Sequence, residues 1–165
     1  MQVSSEPLAF FFTWVTYGTW LPGDRRGWVD YRNGWKLPNP IFEMESKARM
    51  SEDACKLDAA QRVIVEATIA DHCLIRGWEL HAVNCRSNHV HVVVSAHREP
   101  KEIQRQFKAW CTTKLKDAER AKLGEHTAVR DNWWAERGSR RWINSETSLE
   151  AANIYVKDVQ DRHGK

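Results

Sequence analysis

Seven residues near the middle of the chain, Asn88-His89-Val90-His91-Val92-Val93-Val94, restrict it more than any other stretch. A run so rich in β-branched residues is a strand, and in a strand alternate side chains share a face. His89 and His91 therefore project to one side, and Val90, Val92 and Val94 to the other. The valine side calls for burial against a core. On the opposite side two imidazoles stand about 7 Å apart along the strand, close enough to converge on one divalent cation and leave positions for other ligands and for a substrate oxygen. Taken alone, such a pair is more often two histidines held by ordinary hydrogen bonds than a site, so the rest of the chain must decide.

Before the pair, Leu8–Tyr17 is aromatic and β-branched and ends at Gly18, which predicts a strand buried on both faces. From Gly18 to about Leu57 the periodicity is lost among Gly18, Pro22, Gly23, Gly27, Gly34, Pro38 and Pro40, so a long ordered loop is expected at 18–57. In it Trp20, Trp28, Tyr31 and Trp35 alternate with Arg25, Arg26, Arg32 and Lys36, a pattern suited to stacking on bases beside phosphates, or to gluing the loop down.

Asp58-x-x-Gln61 has the form of a capping box; Ala60, Val63, Ala67, Ala70 and Leu74 follow at helical steps until Gly77. Trp78–Cys85 reads as a strand joined to the histidine strand by a hairpin at 86–88. Pro100 suits the start of a second helix with Ile103, Phe107, Cys111 and Leu115 as its apolar stripe, and Arg105, Lys108 and Lys114 on the rest of its surface. Residues 131–144 hold Trp133, Trp134, Arg140, Arg141 and Trp142 and predict a hairpin or last strand. Thr147-x-x-Glu150 then caps a final helix with Leu149, Ala152, Val156 and Val159 buried and Tyr155 beside them. The order of the first six elements is that of a ferredoxin-like split βαβ sandwich, an α+β fold with helices on one face of an antiparallel sheet and the other face open.

Composition sets limits rather than an activity. The 165 residues fit one domain, 1–165; apolar content of 42% and charged content of 28% are globular values, and no run reaches the length of a membrane span. Met1–Pro7 carries no basic region followed by an apolar one, so the expected location is the cytoplasm. Cys55, Cys73, Cys85 and Cys111 lie far apart inside apolar patterns and read as buried thiols. A net charge of +3 is too small for the whole-molecule field to argue for nucleic acid, so local clusters must.

Asn88-His89-Val90-His91 after a hairpin, with Tyr155 in a late helix, resembles the HUH single-strand endonucleases, in particular the single-tyrosine transposases of the IS200 and REP-associated type. Phe12–Asp24, Phe107-Lys108 and Thr112-Thr113-Lys114 resemble segments of one transposase-like branch. The resemblance implies that His89 and His91 hold Mg²⁺ or Mn²⁺, with a polar third ligand near the tyrosine, and that Tyr155 attacks a DNA phosphodiester. The family pattern places a glutamine four residues after the tyrosine, where this chain has Val159; Gln160 fits by residue type. In a straight helix Asp158 lies about 60° from Tyr155 and Gln160 about 140°, so geometry favours Asp158 and resemblance Gln160; the expectation here is Gln160, with Asp158 as the alternative. A phenol of ordinary pKa needs help to lose its proton, for which Lys157 and Lys108 are candidates.

The expected partner is single-stranded or hairpin DNA, contacted through Trp20, Arg25, Arg26, Trp28, Arg105, Lys108, Lys114, Trp133, Arg140 and Arg141, with no membrane and with a homodimer left open. Two other classes fit the same residues: a descendant that binds hairpin DNA without cutting it, and a hydrolase on the same sandwich in which water replaces Tyr155.

Overall fold

Why the chain folds as it does is clearest in its two long helices. Asp58 accepts a hydrogen bond from Gln61 N while the Gln61 side chain accepts one from Asp58 N, a complete capping box, and α2 (Ala59–Arg76) ends at Gly77 in the left-handed conformation. Pro100 starts α3 (Pro100–Leu123), and Ile103, Phe107, Cys111 and Leu115 are all buried along it. Burying each such side chain contributes about 1.5–3 kcal/mol. In a computed structural model that describes residues 6–159, and side chains as far as 158, these helices pack on one face of a four-stranded antiparallel sheet.

The sheet is β1 (Ala9–Thr16), β4 (Glu79–Cys85), β5 (His89–Ser95) and β6 (Trp134–Ile143), in the spatial order β4-β5-β1-β6. Phe10, Phe12 and Trp14 of β1 and Val90, Val92 and Val94 of β5 meet α2 and α3 in the larger core, as the alternation requires. The four cysteines are free and buried. Taken as a class, the molecule is a mixed α+β fold built on an antiparallel sheet.

Three expectations need correction. Residues 18–57 are not a loop: they hold a small hairpin, β2 (Trp28–Asp30) with β3 (Gly34–Lys36), and a helix α1 (Pro40–Ala48) capped by Asn39. Strands of three residues are too short for period-two counting to detect. The last helix, α4 (Glu146–Ile154), is capped not by Thr147 but by Ser145, whose hydroxyl accepts from Ser148 N. Finally, α2 and α3 keep to one face as expected, but the opposite face is not left open. Ala9, Ala82, Val93, Ile143 and Val156 form a second cluster on the other side of the sheet, with Leu149 and Ala152 of α4 packed against it.

The insert is clipped to the sheet at its far end. Cys55 N donates to Tyr17 O at 2.8 Å and Leu57 N to Ser87 O at 2.7 Å, while the Glu52 carboxylate accepts from Asp131 N and Asn132 N. Gly23, with φ +91°, lies so close to Asn39 O and Glu43 N that any side chain would collide with the start of α1. The insert therefore borders the end of the sheet where β5 begins.

Candidate active site

His89 and His91 sit on the central strand β5, flanked by β1 and β4, on the face turned away from α2 and α3. Their ring centres are 4.9 Å apart and nearly perpendicular. Each ring is oriented through its Nδ1. His89 Nδ1 lies 2.6 Å from Asn88 Oδ1, an oxygen that can only accept, so His89 donates from Nδ1. His91 Nδ1 is 2.7 Å from the hydroxyl of Thr13, its partner in the β1 register, which can take the same role. A ring that donates from Nδ1 carries its lone pair on Nε2, the tautomer that a metal ligand needs.

Electrostatics keep the pair neutral. Burial, then the neighbouring His89, then Arg86, push His91 down to about 4. Burial and Arg86 lower His89 as well. Neutral imidazoles are the ligating form, so the protein has already removed the proton that would compete with a cation.

Tyr155 reaches this face because β6 ends directly before α4, and Val156 is anchored in the second cluster. Asn84, opposite His91 on β4, donates from Nδ2 to Val156 O at 3.1 Å. Tyr155 opens a π-helical segment, Tyr155–Val159, in which the chain widens. Such segments concentrate at functional sites, and their i→i+5 bonding displaces carbonyls from the α ladder. The phenol ring stands 5.7 Å from the His91 ring, centre to centre, and is 46% exposed. Phe11 packs against both rings, at 5.5 Å from His91 and 6.2 Å from Tyr155. The structure thus gathers His89, His91 and Tyr155 from residues 66 positions apart in sequence.

Other expected residues are dispersed. Asp158 lines an outer groove with Glu150, Asn153 and Lys157, and among the described residues no three His, Cys, Asp or Glu side chains come together to hold a metal. Gln160 lies outside the described residues. Register separates the two arginines of β6. Arg140 pairs with Phe12 and donates to Gln104 Oε1 of α3 at 3.1 Å, whereas Arg141 pairs with Phe11 and so shares the histidine face. Arg105, Lys108 and Lys114 belong to α3, on the opposite side of the sheet from the histidines. Arg105 is ion-paired with Glu102, and Lys108 Nζ donates to Ala135 O, Glu136 O and Arg137 O at 3.0–3.4 Å.

The tryptophan platforms divide in the same way. Trp133 is 3% exposed and belongs to the core, where its Nε1 donates to Arg130 O; it presents no face to a base. Trp28 packs on Phe42 and donates to Leu37 O. Trp20 keeps 40% exposure, with the Arg26 guanidinium stacked 4.0 Å from its ring centre; Arg26 in turn is tied to Asp24 and to Thr19 O. Arg25 is exposed at the edge of a cleft that reaches Asn88. Thr13, Asn84 and Phe11 were not expected at the site. Their roles arise from strand register and side-chain contact, for which a local sequence pattern holds no signal.

No family model matches the chain, and no curated protein matches it. Among solved structures, one of the REP-associated tyrosine transposase bound to a REP hairpin superposes with a TM-score of 0.56 over 99% of this chain and 73% of that one, at 14% identity. A likeness at that identity is one of fold. Among the described residues no helix is long and apolar enough to cross a membrane.

Proposed function

We propose that the protein is a metal-dependent single-strand DNA endonuclease and strand transferase of the tyrosine type, on a ferredoxin-like sandwich whose strand order β4-β5-β1-β6 supports that description. The observation that carries the proposal is Tyr155 beside the oriented His89–His91 pair on one sheet face. The solved structure of similar fold holds a hairpin of DNA, which makes hairpin or single-stranded DNA the substrate to test.

His89 and His91 are the residues that would hold Mg²⁺ or Mn²⁺, and the neutral Nδ1-bonded rings fit that role. A bound divalent ion would supply Lewis-acid polarisation of a phosphate oxygen. For the third position the π segment favours Gln160. The straight-helix geometry that favours Asp158 does not hold from Tyr155 on, where the described chain takes up π rather than α bonding, so the residue type of Gln160 decides. Asp158, grouped with Lys157 on the outer groove, is the weaker choice.

The chain's own part in the reaction is then as follows. The Tyr155 oxygen attacks phosphorus in line, its proton passing to solvent; the bond from phosphorus to the 3′ oxygen breaks, leaving a 3′-OH on one strand end and a 5′-phosphotyrosine on the other. Reversal on another 3′-OH rejoins DNA and releases the tyrosine. Lys108 is held by β6 carbonyls on the far side of the sheet and takes no part in that proton transfer. Incubation with Mn²⁺ and a hairpin bearing single-stranded flanks should give a covalent adduct on a denaturing gel, absent with Tyr155→Phe. An adduct formed by Tyr155→Phe moves the nucleophile to another side chain, whereas cutting without any adduct refutes covalent chemistry and leaves a water-using hydrolase.

A second reading has one observation behind it. Tyr155 keeps 46% exposure beside the histidine pair, an aromatic ring on which a base could stack in a protein that holds DNA without cutting it. Tight hairpin binding with no adduct and no Mn²⁺ uptake at His89 and His91 would select that reading.

A further inference from the structure

Where β5 begins, the insert stands off from the β4–β5 turn and leaves a cleft of about 380 Å³. That volume lies at the lower end of the range, about 300–1,000 Å³, in which proteins enclose small ligands. Its walls include Arg25, Lys56, Glu43 and Asn88. Asn88 is also the residue whose Oδ1 accepts from His89 Nδ1, so one side chain belongs to both the cleft and the histidine pair.

The charges in the cleft are not equivalent. Asp24 is neutralised by Arg26, whose Nη2 is 2.7 Å from its carboxylate. Among the described residues Glu43, Arg25 and Lys56 form no hydrogen bond or ion pair through their side chains, so one carboxylate and two cations line the cleft without a direct partner, with the Glu43 charge also acting on Arg26. Arg26 is further held by stacking over the Trp20 ring, which it covers at 4.0 Å, so the lining of the cleft itself is polar and charged. Cations for a phosphate and a carboxylate for a base edge are two elements by which a protein holds an unpaired nucleotide.

We propose that this cleft receives one unpaired nucleotide beside the phosphate presented to His89 and His91, with Arg25 and Lys56 on its phosphate and Glu43 reading its base. The proposal rests on the histidine face as the DNA site, and it adds what selects the position along the strand. A carboxylate accepts but does not donate. Guanine, with two donors side by side on its Watson–Crick edge, fits best, and thymine, with one donor between two acceptors, fits worst.

The test reads binding alone, in Tyr155→Phe protein, by selection from a pool of hairpins with randomised single-stranded flanks. One flank position should select guanine, and Glu43→Gln should lower that selectivity about tenfold while leaving preferences elsewhere unchanged. In the same background Arg25→Gln and Lys56→Gln should each flatten the slope of log affinity against log salt by about 0.7. Both are exposed changes, so melting temperature checks that the fold is kept. Unchanged base selection in Glu43→Gln, or an unchanged salt slope in both charge variants, overturns the proposal. Wild-type protein that forms no adduct defeats the cutting reaction while this binding readout stands, so the two failures are distinguishable.

Discussion

At the scale of single residues, the feature with the clearest consequence is a buried imidazole. His91 is 7% exposed and is held down to about 4, against about 6.5 for an unperturbed histidine. Between those values the unfolded chain binds a proton that the native protein does not, so stability rises with pH across the window. The stabilisation is fully present above about 6.5 and is lost as pH falls through 4, a difference of up to ~3 kcal/mol. Urea unfolding of wild type and His91→Gln at pH 7, 5.5 and 4.5 should show wild type losing stability faster; parallel losses would contradict the assignment. Replacing either His89 or His91 with alanine should remove Mn²⁺ binding without unfolding the sheet, because Val90, Val92 and Val94, which anchor β5 in the larger core, point the other way. Calorimetric titration with Mn²⁺ reads the first effect and thermal melting the second.

Secondary-structure elements carry two further expectations. β6 has three residues between Trp134 and Gly138 against one between Thr16 and Trp14 on β1, and this bulge turns carbonyls out of the ladder. Lys108 collects three of them. Lys108→Ala should therefore destabilise the fold by roughly 1–3 kcal/mol, the cost of unpaired backbone acceptors, and do so in protein that is never exposed to DNA. An unchanged denaturant midpoint would mean that the carbonyls find water at no cost. The π segment makes a sharper case. If it absorbs the extra residue between Tyr155 and Gln160, deleting Lys157 restores a four-residue spacing on an ordinary helix. Such a protein should still form the DNA adduct, and Gln160→Ala should abolish the adduct in either background. Loss of the adduct on deletion alone, with Mn²⁺ binding intact, would show that the widened turn itself positions the phenol.

For the whole molecule, aromatic rings and cations are dispersed, yet Arg141 shares the histidine face and the cleft around Arg25 borders the end of the sheet where β5 begins. Base stacking contributes about 1–3 kcal/mol per base and requires unpaired bases, so hairpins with single-stranded flanks should bind at least tenfold more tightly than blunt duplex at one salt concentration. Equal affinities, measured by anisotropy, would leave backbone charge as the only source of binding.

Much of this architecture is legible in local pattern. The capping box at Asp58, the stop at Gly77, the stripe from Ile103 to Leu115 and the alternation around His89 and His91 each depend on residues a few positions apart, so period and cap chemistry decide them. The hairpin and helix within 18–57 escape such reading because their strands are too short to show a period and α1 buries no side chain. Burial of Trp133, separation of Arg140 from Arg141, and the approach of Thr13, Asn84 and Phe11 to the site follow from strand register. A slip of one residue would send each to the opposite face, and register is fixed by the packing of distant elements. The sequence by itself named the histidine pair and the tyrosine as candidates. Only the tertiary structure, by laying α4 and its π turn across the face that β5 presents, brought them within one ring's breadth of each other.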